Sequence, residues 1–252
     1  AVDKDNNVLI QDGKVKVSTY DVADGAKGGN SVKPPLDGSE DYQSLKDKEV
    51  SLGEVFDVQT NDDYVRDNNE TFTVKIDSIV DGSKYENPSV DTTRDTVTST
   101  ITDNDPTTNA PISENPTVDG QGYGKEDTVY VKIVDNAEVV EGGNLVHNIQ
   151  LIDKDGKSVI IPDGEEITVT LKYTTNHDIK DSDFVNGSNQ YNETTKTITV
   201  TIDKNTPKDE NGIYKLPITN KTQVDFDKES TEKYQLEITN VKQSNGTFEN
   251  VV

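Results

Sequence analysis

The chain has 252 residues, with 48 Asp and Glu against 25 Lys and Arg for a formal net charge of −23, and it contains no Cys, Met or Trp. Those counts exclude disulfide staples, thiolate chemistry, Cys-held zinc and an ordinary basic nucleic-acid footprint. No apolar run approaches the roughly 20 residues of a membrane-spanning helix, and no signal-peptide pattern opens the sequence. At about 1.7 times the usual length per domain there is room for one large or two ordinary domains. Only 30% of residues are hydrophobic, a composition shared with disordered chains, so order has to be argued from patterning.

That patterning is clear. In chain order, KVKVSTY (Lys14–Tyr20), TFTVKI (Thr71–Ile76), TVTSTI (Thr96–Ile101), TVYVKI (Thr128–Ile133), ITVTLKY (Ile167–Tyr173), TITVTI (Thr197–Ile202) and YQLEI (Tyr234–Ile238) alternate with period two. They are rich in Val, Ile and Thr, and each is expected to be a strand with one buried face and one in water. Turn pairs punctuate the gaps at Asp12-Gly13, Asp81-Gly82, Asn186-Gly187, Asn211-Gly212 and Asn245-Gly246. No segment has a convincing helical period, so the fold class is all-β, with sandwiches as the expected architecture. Tyr20, Tyr42, Phe72, Tyr130, Tyr173, Phe184 and Tyr234 fall in strand patterns or repeated motifs and are expected in cores. Tyr123, Tyr191 and Tyr214 lie in less regular surroundings and are the candidates for surface contact with a glycan or peptide.

The sequence also repeats itself. Asp63, Asp67, Glu70, Phe72, Val74 and Ile76 align without a gap on Asp225, Glu229, Glu232, Tyr234, Leu236 and Ile238, at an offset of 162. Asp3-Lys4-Asp5 matches Asp153-Lys154-Asp155, Asp12-Gly13 matches Asp163-Gly164, Val15 and Val17 match Ile167 and Val169, and Asp41-Tyr42 matches Asp183-Phe184. Offsets between 142 and 162 vary as loop insertions would make them vary, while the order of features is kept. Two modules are therefore expected at 1–106 and 123–252, joined by a polar, proline-containing linker at 107–122. The first copy has no counterpart of Asp127–Leu151 and the second none of Arg94–Pro106, so unpaired strand edges are expected.

The string DDYVRDNNETFTVKI from Asp62, followed by TVTSTITDNDP from Thr96, resembles the Calx-β module, an immunoglobulin-like sandwich found in calcium-exchanger regulatory regions and in tandem in giant bacterial surface adhesins of the RTX type. The second copy adds EVVEGGNLVHNIQL from Glu138, SDF from Ser182 and DFDKESTEKYQLEI from Asp225. The resemblance covers nearly all of the chain outside the linker. It departs from the family where the paired Asp62-Asp63 of copy one becomes Val224-Asp225 in copy two.

The resemblance implies two tandem Calx-β-like sandwiches with Ca²⁺ held at the module poles. One cluster is expected from Asp41, Asp62, Asp63, Asp67, Glu70, Asp103 and Asp105, and an incomplete one from Glu141, Asp183, Asp225, Glu229 and Glu232. Acids suit this ion because calcium takes 6–8 oxygen ligands and needs neither nitrogen nor sulfur. Packing several carboxylates together without a counter-ion costs on the order of several kcal/mol. The implied role is a secreted extender segment at the bacterial cell surface, whose partners are neighbouring modules of the same adhesin, with no nucleic acid and no membrane insertion. A carbohydrate- or peptide-binding adhesin module is the alternative. No catalytic role is expected, because His147 and His177 are isolated and no Ser nucleophile motif accompanies them.

Overall fold

The computed structural model describes residues 1–9, 12–66, 69–82, 84–102, 124–134, 138–175, 197–224 and 234–252. Every regular element among them is a strand, so the all-β class holds. The chain divides into two compact units, residues 1–63 with 67–113 and residues 64–66 with 114–252. The expected linker, 107–122, lies outside the described residues.

Unit 1 contains β1 (Lys14–Asp21), β2 (Gly28–Gly29), β3 (Tyr42–Gln43), β4 (Lys48–Ser51), β5 (Glu70–Asp81) and β6 (Thr96–Ile101). An antiparallel sheet runs β4-β1-β5-β6. A second layer begins with β2 and β3, paired in parallel, and Tyr42 of β3 faces Thr60 across an antiparallel bridge. The two layers meet where the Tyr42 ring stacks on Phe72 of β5 at 4.3 Å, with Ala26 buried beside them and Val58, Val74 and Ile101 at the margin. An aromatic pair of this kind adds roughly 0.5–1.5 kcal/mol beyond its buried area. The core is thin, as a chain poor in hydrophobic residues must make it, and Val97 of β6 is left exposed.

Unit 2 contains β7 (Thr128–Val134), β8 (Asn144–Ile152), β9 (Glu166–Thr175), β10 (Thr197–Asp203), β11 (Tyr214–Lys221), β12 (Tyr234–Gln243) and β13 (Asn250–Val251). One sheet has the order β10-β9-β12 and the other β11-β8-β7-β13. Alternation buries Ile167, Val169, Leu171 and Tyr173 of β9 with Ile198, Val200 and Ile202 of β10. The facing sheet buries Val129 and Val131, Leu145, Ile149 and Leu151, and Tyr214 and Ile218. Each fully buried Val, Leu or Ile contributes roughly 1.5–3 kcal/mol, so this core is the stronger of the two. Asn220 of β11 donates to the Tyr173 hydroxyl of β9, a buried polar tie from one sheet to the other. Pro217 sits on β11, an edge strand, which is where a residue without an N–H is tolerated.

The repeat is visible in the register. In β1 and β5, Val17 faces Ile76 while Lys16 faces Ser78, so Asp77 is bulged out. In β9 and β12, Leu171 faces Ile238 while Thr170 faces Asn240, so Thr239 is bulged out. Asp77 and Thr239 are 162 positions apart, and both bond back to the partner strand: Ser18 and Tyr20 hydroxyls donate to the Asp77 carboxylate, and the Thr239 hydroxyl donates to Thr170 O. The pairing corrects one sequence alignment, because Val15 and Val17 correspond to Val169 and Leu171 rather than to Ile167 and Val169. A shift of two residues keeps the same face of the pleat, which is why pattern alone did not detect it.

The matched turns agree atom for atom. Asp3 Oδ1 accepts from Asp5 N at 2.8 Å and Asn7 N at 2.9 Å, and Asp153 Oδ1 accepts from Asp155 N and Lys157 N, both at 2.8 Å. Left-handed positions follow at Asn6 (φ 64°) and Gly156 (φ 76°). The two copies differ in their flanking strands. Among the described residues β6 has no counterpart beside β12, and β7 and β8 have none in unit 1. Two aromatic expectations are also corrected. Tyr20 is 46% exposed because its hydroxyl reaches the outward Asp77, and Tyr214 is only 2% exposed because alternation in β11 turns it inward, where its hydroxyl accepts from Ile161 N at 3.4 Å. Tyr123 and Tyr191 lie outside the described residues.

Candidate metal centre

Asp41 lies between two flanking segments of unit 1. On one side its N–H donates to Lys27 O at 2.7 Å, and Lys27 N donates to Asp41 Oδ2 at 2.5 Å. On the other, Asn61 N donates to Asp41 O at 2.9 Å and the Asn61 side chain donates to Glu40 O at 2.6 Å. Residues 59–61 therefore run antiparallel to 40–43 and deliver Asp62-Asp63 just beyond Asp41. One residue before Lys27, Ala26 N donates to Thr71 O at 3.0 Å, which brings the start of β5, and Glu70 with it, to the same end of the unit. This ladder brings the segments that carry Asp41, Asp62, Asp63 and Glu70 to one end of the unit. Asp41 and Asp63 are buried, and Asp62 and Glu70 are partly buried.

Neighbouring packing holds the arrangement. The Tyr42 hydroxyl donates to Asp21 Oδ1 at 2.6 Å, which also accepts from Gly28 N at 2.9 Å. Burial, helped by the Asp21 bond, raises the Tyr42 phenol above its ordinary range and keeps it protonated.

Asp41 is 5% exposed, and its second oxygen, Oδ1, is buried without a hydrogen-bond partner. Buried polar atoms are nearly always bonded, and a buried carboxylate with one oxygen unmatched is costly. A hard cation is the chemical complement of such an atom, so the site fits calcium at its anchor. The shell around that anchor is not closed among the described residues, where no three acidic or histidine side chains are grouped to share an ion. Asp67, Asp103 and Asp105 lie outside those residues.

In unit 2, Asp183, Asp225, Glu229 and Glu232 all lie outside the described residues, leaving Glu141. That side chain is exposed on a turn at 140–143. The turn is pinned because Gly143 O accepts from both Thr222 N at 2.9 Å and the Thr222 hydroxyl at 3.1 Å, so Glu141 stands close to the stretch leading into Asp225.

Sequence reasoning did not find the best-satisfied acid among the described residues. Glu165, 2% exposed, accepts through Oε1 from Ser244 N (2.8 Å), the Ser244 hydroxyl (2.8 Å), Asn245 N (3.1 Å) and Glu166 N (3.1 Å), and through Oε2 from Thr247 N (3.0 Å). Burial pushes its carboxyl up, but the bonds from Thr247, Asn245 and Ser244 outweigh it and lower it to about 2. The partners lie some 80 positions downstream, and no local motif announces them. Asp153 is a buried acid of the same kind, and its signal was present in the Asx-turn string Asp-Lys-Asp-Gly.

No family model matches the chain, and no curated protein does. Among solved structures it is similar to the crystal structure of CBD12 from CALX1.2, with 96% of this chain covering 73% of that one at 11% identity and a TM-score of 0.31. A likeness that loose carries no argument about the site.

Proposed function

We propose that the chain is a calcium-dependent structural segment of a secreted bacterial surface adhesin, in which Ca²⁺ at the poles of tandem modules stiffens an array that projects a binding tip. The carrying observation is the buried, unmatched Asp41 Oδ1 on a segment paired with residues 59–61, which lead into Asp62 and Asp63. The repeated acidic spacing, the net charge of −23 and the resemblance of both copies to Calx-β modules support the same reading. Asp41, Asp62, Asp63 and Glu70 would hold the ion together with Asp67, Asp103 and Asp105 of the same motif. When bound, the ion supplies a hard positive centre that neutralises the carboxylates. The chain's own part is to hold Asp41 rigid between Lys27 and Asn61, so that binding needs little reorganisation. No step of catalysis is assigned, and the partners are neighbouring modules.

The test is small-angle scattering and thermal unfolding of the chain with millimolar-scale calcium and with chelator. The proposal expects a rise in melting temperature and a narrower distribution of dimensions with calcium. Identical curves in the two conditions would refute it.

A further inference from the structure

Unit 2 includes three residues that precede unit 1's β5 in sequence, Tyr64, Val65 and Arg66. They pair with the segment after β12. Val65 faces Phe248 across an antiparallel bridge, Glu249 N donates to Tyr64 O at 3.0 Å, and Arg66 N donates to Thr247 O at 2.8 Å. The Arg66 guanidinium donates to Glu249 O at 3.1 Å. The Tyr64 ring, 2% exposed, lies 5.8 Å from the fully buried Phe248 ring at a tilt of 58°, and its hydroxyl accepts from Ile160 N at 3.3 Å.

The backbone of residues 244–252 shows why this matters. Glu165 takes the N–H groups of Ser244, Asn245 and Thr247. The Gln243 side chain takes both the N–H and the C=O of Phe248, at 2.9 and 2.7 Å. Strand β7 takes Val252 N and donates to Val252 O. Thr247 O, Glu249 N and Glu249 O are instead satisfied by residues 64–66. Buried backbone groups require such partners, so this edge of unit 2 is complete only with an inserted strand.

We propose that the edge formed by residues 247–249, with Phe248 and the 159–161 segment, is a strand-addition site for an extended Tyr-x-Arg peptide, occupied in this chain by residues 64–66. Main-chain bonds supply affinity, the Phe248 side supplies an aromatic pocket, and Glu249 O selects arginine, the division of labour expected when a peptide joins a sheet edge.

Hydrogen exchange on the full chain tests it. In Tyr64→Ala, amide protection at Glu249 and Ile160 is expected to fall about tenfold or more, the equivalent of roughly 1.4 kcal/mol, while β9 and β10 keep theirs. A synthetic peptide of residues 61–69 added in excess is expected to restore that protection, and the same peptide with Tyr64→Ala is not. Arg66→Ala removes the side-chain bond to Glu249 O and is expected to loosen 247–249 while Ile160 keeps its protection, which keeps the test sharp if the tyrosine variant unfolds unit 2. Unchanged protection at Glu249 in both variants, or no recovery with the parent peptide, would overturn the proposal.

Discussion

Asp41 in unit 1 and Glu165 in unit 2 are both buried carboxylates in a chain with a large excess of acid, and they are satisfied in opposite ways. Glu165 is saturated by N–H and hydroxyl donors from the turn it clasps. Asp41 has one oxygen bonded to Lys27 N and the other buried with no donor. Negative charge in this protein is thus spent as an internal acceptor in one place and kept open in another. Net charge cannot distinguish the two, because only the supply of nearby donors does.

The largest effect that follows is on Glu165. Glu165→Ala removes every acceptor of a partly buried turn and is expected to destabilise unit 2 by about 2–4 kcal/mol, read by urea unfolding. A variant within 1 kcal/mol of the parent would mean that water replaces the carboxylate readily and that the comparison is false. Next is pH. Because the folded carboxyl is lowered from 4.5 to about 2, its stabilisation is fully present above pH ~4.5 and is lost as pH falls toward ~2. The loss amounts to about 3 kcal/mol. Glu165→Gln should flatten that part of the acid limb.

Asp41 should show the reverse pattern, slightly smaller in size. At calcium about 100 times its dissociation constant, binding stabilises the folded chain by about 2.7 kcal/mol, and Asp41→Asn should abolish that gain. In chelator the same variant is expected to be neutral or mildly stabilising, since it removes a buried charge with an unmatched oxygen. A variant equally destabilised in both conditions would put Asp41 in the same class as Glu165.

All seven strands expected from alternation are present, and the repeat holds down to the bulged residues Asp77 and Thr239. Both are written locally, by period two and by fixed spacing. The short β2, β3 and β13 carry too few residues to show a period, and Pro217 masked β11. Tyr214 was misread for the same reason. Of the site, Asp41, Asp63 and Glu70 were singled out in the sequence by their counterparts Asp183, Asp225 and Glu232, whereas the unmatched Asp41 Oδ1 is seen only in the structure. The roles of Glu165 and Tyr64 were not legible, because their partners lie about 80 and 180 positions away and neither contact leaves a periodic trace.

The smallest effect concerns the matched turns. Asn6 and Gly156 occupy the same left-handed position, and nothing crowds a Cβ at Gly156. Gly156→Ala is therefore expected to cost about 1 kcal/mol, and Gly156→Asn well under that, because Asn tolerates this conformation. Differential scanning calorimetry of the two variants would show whether the copies are interchangeable at this point.

The most direct test of the account is a calcium titration of the full chain and of Asp41→Asn by isothermal calorimetry. The account predicts saturable binding in the parent, with at least one site lost in the variant while the unfolding of unit 2 is unaltered. Superimposable isotherms, or no binding heat in either protein, would contradict it.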